Sequence, residues 1–122
     1  MRTLPFLSTL LLVSILFFGC SSDPSKLSPN ESALLLRQFA VKVMLHAAMN
    51  GDRYPERIDI LRDEINEDER LAAMVASQNF EYHVSGLDLG ETGPEAILAT
   101  YDFPNQGRMV LFTGGHTRWE GK

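Results

Sequence analysis

The side chains able to do chemistry are few, and their spacing limits what they can do. The chain of 122 residues holds one Cys, three His and 16 Asp and Glu. The histidines are His46, His83 and His116. No two are four residues apart, the step that brings two imidazoles to one side of a helix for zinc. A metal or ligand site would have to be assembled from separate segments. His83 and His116, on neighbouring strands, with Asp88 and Glu91 from the loop after His83, are the candidates; ordinary polar strand and loop positions are the simpler account of all four. Asp88, Glu91, Glu95 and Asp102 could offer oxygens to Ca²⁺, but their spacing is not that of an EF-hand loop. Gly86 to Gly93 lacks the Gly-x-Gly-x-x-Gly spacing, and no Lys follows for a phosphate loop. Neither Ser85-Gly86 nor Thr113-Gly114 forms a Gly-x-Ser-x-Gly elbow. A single Cys excludes an intramolecular disulfide and the multi-cysteine zinc patterns. These residues compose no catalytic constellation and imply no cofactor, so the expectation is a protein that is not an enzyme.

Composition narrows the class. With 44% hydrophobic and 22% charged residues, the chain has the make-up of one ordinary globular domain. Its net charge of −5 and pI near 5.1 argue against nucleic acid as a partner, which would call for a basic stripe.

The single Cys is placed by what precedes it. Arg2 gives a short positive start, and Leu4 to Phe18 is an apolar run of secretory-signal length. It is short of the roughly 20 apolar residues a membrane span needs. Its end, Leu16-Phe17-Phe18-Gly19-Cys20, resembles the lipobox of bacterial lipoproteins, with Phe17 where that motif usually has Leu. The resemblance implies a signal peptide over 1–19, a lipidated Cys20 with a polar tether over 20–27, and a domain over 28–122. The mature chain would have 122 − 19 = 103 residues, and losing Arg2 would move its charge from −5 to −6. Acyl chains bury at about 0.8 kcal/mol per CH₂, so palmitate-type acylation of Cys20 would hold the chain firmly to a membrane. Ser21, where Asp would signal retention, favours the outer membrane by resemblance to the sorting rule of enteric bacteria, with the domain facing the periplasm or the exterior.

The elements that must position these residues follow in order. Ser28-Pro29-Asn30-Glu31 predicts a capped helix start. Helix formers then run to Met49, where Asn50-Gly51 predicts the stop. Leu36, Phe39, Ala40, Val43, Met44 and Ala47 mark a core face, with Gln38, Lys42 and His46 opposite. That polar face is thin in Lys and Arg, so a core helix is favoured over a membrane-surface or partner-binding one. Glu56 to Ile65 reads as a short helix with Ile58, Leu61 and Ile65 inward. Asn66-Glu67-Asp68-Glu69 reads as a second capping box opening a helix to about Ala76. The acids of Asp63 to Arg70 suit helix N-termini rather than a cation.

From Phe80 the period becomes 2, as Phe80, Tyr82 and Val84 alternate with Glu81 and His83. Ser85 to Pro94 is a Gly-rich loop, Ala96 to Tyr101 a strand, and Asp102 to Gly107 a polar turn. Gly107 to Glu120 reads as a hairpin on a two-residue Gly114-Gly115 turn, both glycines at positive φ. That register sets Thr113 against His116, Phe112 against Thr117 and Val110 against Trp119, the last four sharing one apolar face. Tyr54, Tyr101 and Trp119 belong to the core or its rim. The expected fold is α+β: a long N-terminal amphipathic helix packed on a small antiparallel sheet that ends in the hairpin.

Three stretches resemble the heads of bacterial type II secretion pseudopilins and other pilin-like proteins. Arg37-Gln38-Phe39-Ala40-Val41-Lys42-Val43-Met44-Leu45-His46-Ala47-Ala48-Met49-Asn50-Gly51-Asp52-Arg53-Tyr54-Pro55 is similar to their NLKQIGLALHMYANDNNGRFPP stretch. Asn79 to Gly86 is similar to SYVYVGG, and Gly107 to Trp119 to the closing GRNVLFADGHVEWL. Pilin-like proteins of this type carry a His, nine residues, then Asp-Gly; here Pro104 and Gly114 stand at the His and Asp, while Gly115 and His116 remain. The polymerising prepilin helix is replaced by the lipoprotein signal. The resemblance implies a pilin-like head on a lipid anchor and no catalytic residue, since that family works by assembly. The expected function is a non-enzymatic structural or protein-interaction module with an envelope protein as partner. A small periplasmic metal- or ligand-binding lipoprotein is the alternative.

Overall fold

A computed structural model describes residues 27–122; the signal segment, Cys20 and most of the tether lie outside the described residues. Ser28 caps the first helix by accepting the Glu31 amide, and Pro29 opens it, as the sequence predicts. Helix α1 spans Pro29–Met49. The Asp52 amide donates back to the Ala47 carbonyl at 2.8 Å and closes the C-terminal turn. A 3₁₀ turn over Ile58–Leu61 leads into α2, Arg62–Ile65. The single helix expected from Glu56 to Ile65 is thus shorter and split, though Leu61 and Ile65 are buried and Ile58 packs on the core. Helix α3 spans Glu69–Ala76 and is capped by Asp68, whose carboxylate accepts from the Arg70 and Leu71 amides. The cap falls two residues after Asn66, because Asp68 is the residue with extended backbone at the helix entry.

Strands β1 (Phe80–Tyr82), β2 (Ile97–Phe103), β3 (Gly107–Phe112) and β4 (Thr117–Gly121) form an antiparallel sheet in the order β1-β2-β3-β4. With α1 packed on it the fold is α+β. β2 runs two residues beyond the expected Tyr101, so the turn shrinks to Phe103–Gln106, closed by the Gln106 amide on the Phe103 carbonyl. Pro104 and Asn105, φ +68°, occupy its centre, the pattern of a type II turn.

The hairpin register differs by one residue from the expected one. Leu111 pairs with Thr117, Val110 with Arg118 and Met109 with Trp119. The Gly115 amide donates to the Phe112 carbonyl, and the Phe112 amide to the His116 carbonyl. The loop is therefore three residues, Thr113-Gly114-Gly115, and of its glycines Gly115 alone has positive φ, +92°. This is a turn followed by a left-handed bulge residue, the usual three-residue hairpin. A one-residue slip exchanges faces. Thr117 and Trp119 share a face with Leu111 and Met109, while Val110 and Phe112 share the other with Arg118.

The face toward α1 is the Met109–Leu111 face. Leu36, Phe39, Val43, Ala99, Tyr101, Phe103, Met109 and Leu111 belong to one buried cluster. A bulge in β2 at Leu98 places Leu98 beside Ala99 in that cluster, both fully buried. Phe39 is fully buried and meets Phe80 and Tyr82 edge-on, with ring centroids 5.2 and 6.1 Å away. Tyr82 donates to the Pro55 carbonyl at 2.7 Å; burial, with Tyr54 adding, pushes its phenol far above the usual value. Tyr54 and Tyr101 are core residues, as expected, and Trp119 is a rim residue, 38% exposed and edge-on to Phe103.

Gly107 fixes how closely the last two strands meet. At φ +145°, a Cβ there would lie 2.3 Å from the Glu120 carbonyl oxygen and 2.9 Å from the Trp119 ring. Gly115 has open space around it. Gly107→Ala is expected to cost about 2–4 kcal/mol, strain plus displaced backbone, and Gly115→Ala about 1 kcal/mol. Urea denaturation checks this; equal losses would mean that close approach is not what holds Gly107. In the same assay Phe39→Ala should cost about 3–5 kcal/mol and Trp119→Ala about 2. A reversed order would relocate the core toward β4.

Candidate functional site

The structure separates the four candidate ligand residues. β1 and β4 are opposite edges of the sheet, so His83, after β1, and His116, before β4, are three strand spacings apart, about 14 Å. Their strands are not neighbours, contrary to the sequence expectation. Zinc holds its ligand nitrogens at about 2.0–2.1 Å, so one ion cannot bridge the two. Each already has company. His83 reaches the Thr100 hydroxyl at 3.1 Å and the Glu81 carboxylate at 3.5 Å. The His116 ring stacks on Phe112, centroids 4.6 Å apart and planes 14° from parallel. Arg118 lies 4.9 Å over the same Phe112 ring.

Asp88 and Glu91 belong to a structural motif. They form a reciprocal capping box around the 3₁₀ turn Leu89–Glu91, and Asp88 pairs with Arg53 at 3.5 Å. The Ser85–Pro94 loop that carries them is tied to the turn after α1. Tyr54 N–H donates to the Leu87 carbonyl and Leu89 N–H to the Asp52 carbonyl, both at 2.8 Å. Glu95 and Asp102 fall at opposite ends of β2, about 20 Å apart. Among the described residues, no three His, Cys, Asp or Glu come together in a way that could hold a metal ion.

A cleft of about 490 Å³ lies at the β2–β3 turn end, between Asn79, Asp102, Arg108, Glu120 and Lys122. Its central carboxylate is engaged: Glu120 accepts from Arg118 at 2.7 Å and from Arg108 at 3.0 Å. These hydrogen bonds, Arg118 first, hold its pKa below the usual 4.5. Besides Glu120 the titratable groups of the cleft lining are Asp102, Arg108 and Lys122.

The surface features that stand out were not anticipated from the sequence. Leu34, Val41, Leu45 and Met49 are 58–83% exposed. At about 100° per residue they form one stripe along α1, directly opposite its buried face. Of the expected polar face, Gln38 is exposed and lies within this stripe, while Lys42 and His46 are half-buried flanks, and Lys42 pairs with Glu67 at 3.5 Å. The spacing of 7, 4 and 4 residues was the available signal; it shows once α1 is read as apolar on two sides. Val41 and Leu45 also line a shallow apolar groove of about 390 Å³ between α1 and the Thr113–Gly115 hairpin tip. Beside it runs the open edge of β4. His116, with Arg118 and Glu120 in register, faces β3, so the amides of Thr117, Trp119 and Gly121 point outward. No helix among the described residues is long and apolar enough to cross a membrane.

A folded carboxylate pKa below its unfolded value contributes stability that is present above about pH 4.5 and is lost as pH falls below it. Glu120→Gln should therefore lower Tm more at about pH 7 than at about pH 3, read by thermal melting at both. An equal effect at both would mean the two arginines do not stabilise the ionised form. Comparison with known proteins finds no matching family model, no matching curated protein and no matching solved structure.

Proposed function

We propose that this chain is a lipid-anchored cell-envelope protein whose domain, residues 28–122, is a pilin-like head acting as a non-enzymatic structural or protein-interaction module. The observation that carries the reading is the position of Cys20. It follows Gly19 at the end of the apolar run Leu4–Phe18, and the folded core begins seven residues later at buried Leu27. A short polar tether is all that separates the acylation site from the head. The outer membrane, by the nature of Ser21, is the favoured location.

Support for the pilin-like reading is positional. The three resembling stretches fall on α1 with its following turn, on β1, and on the β3–β4 hairpin. In place of a polymerising helix the head would be held by acyl chains, which suits an accessory that meets its partner at the membrane. The open edge of β4 beside exposed Trp119 offers such a partner a strand to pair with.

Labelling with radioactive palmitate tests the anchor. The wild-type chain should take up label and sediment with membranes, and Cys20→Ala should do neither. Equal labelling of the two would overturn the assignment of Cys20.

A further inference from the structure

The exposed stripe of α1 is unusual for what it lacks as well as for what it shows. In a chain with 16 Asp and Glu, none lies between Ser32 and Met49. The first-turn acid, Glu31, is turned to Ser28 and Arg70. The cationic residues of the helix stand beside the stripe: Arg37 on one flank, reaching the Thr117 hydroxyl at 3.4 Å, and Lys42 on the other. The outward side of α1 presents Leu34, Val41, Leu45 and Met49, with exposed Gln38 among them, and the Lys42 ammonium at its flank is paired with Glu67. An exposed apolar stripe along a helix is what the headgroup boundary of a phospholipid surface takes up.

Reach points to the same occupant. Cys20 is nine residues before Pro29, a span of at most about 30 Å, and α1 itself is about 30 Å long. A head on so short a tether sees the bilayer at high effective concentration, so a modest apolar stripe suffices to hold it there. We infer that α1 lies along the surface of the bilayer that carries the anchor, with Leu34, Val41, Leu45 and Met49 in the headgroup boundary. This rests on the lipidation of Cys20. It orients the head, leaving the far side of the sheet, with Glu81, Asp102 and Arg118, turned away from the membrane.

The test uses the full chain, purified from membranes and reconstituted into phosphatidylethanolamine–phosphatidylglycerol vesicles with brominated acyl chains. Leu45→Cys and, on the opposite side, Glu81→Cys each provide one free thiol for a bimane label, since acylated Cys20 takes none. Label on the wild-type chain would overturn the anchor itself, and this inference with it. With the anchor intact, bromolipid should quench the Leu45 position severalfold more than the Glu81 position. Val41→Asp in the Leu45→Cys chain should abolish that difference while leaving the melting temperature unchanged. Equal quenching at the two positions would overturn the inference and leave the anchor standing. So would a Leu45 label that lipid does not affect and that self-crosslinking shields, the result expected of a second copy on this face.

Discussion

The contact on which the domain depends is Phe39 against Phe80 and Tyr82. A three-residue edge strand such as β1 has little to hold it: three pairs with β2 and one exposed side chain in the middle. Its two inward rings are fixed by a fully buried phenylalanine from the centre of α1, edge to face. Such aromatic pairs add about 0.5–1.5 kcal/mol beyond the area they bury. The same helix face supplies Leu36 and Val43 to the core that receives β2 and β3. Helix, edge strand and central strands thus meet at one buried side chain.

The other end of the sheet is governed by a constraint rather than an attraction. Gly107 lets the β3 backbone approach Glu120 and the Trp119 ring more closely than any residue with a Cβ could. Trp119 can then lie over the strand start and against Phe103. On the opposite face the Arg108–Glu120–Arg118 bridge spans β3 and β4. The hairpin is therefore pinned at its base by close packing and a charge bridge, and at its tip by Gly115.

Local signals carried much of this fold. Ser28, Pro29 and Gly51 bounded α1 because capping is read from a few adjacent residues. The change to a period of 2 at Phe80 marked where strands begin. Register was not legible, because Gly114-Gly115 suits a two-residue turn and a three-residue loop alike; the choice is made by how Met109 and Leu111 meet the helix. The same holds for the candidate site. His83 and His116 looked capable of meeting, and sheet order, a nonlocal property, put them on opposite edges. The outward stripe of α1 is not legible in the sequence because a helix apolar on two sides blurs the amphipathic pattern by which a core face is recognised.

The strict sequential order of the sheet has a consequence for how the chain folds. Every strand pairs with its neighbour in sequence, so the sheet closes through local connections, two short turns and the longer segment 83–96 between β1 and β2, at small entropic cost. Helix α1 meets the short helices first, with Leu61, Ile65, Leu71 and Met74 in the same buried cluster as Leu36, Phe39 and Val43, while its aromatic contact with β1 and its contacts with β2 and β3 lie farther along. It leaves the ribosome before any of them. Until the strands arrive its inner face is covered by the short helices alone and its outer stripe is bare, which makes this segment the part of the nascent chain most exposed to aggregation.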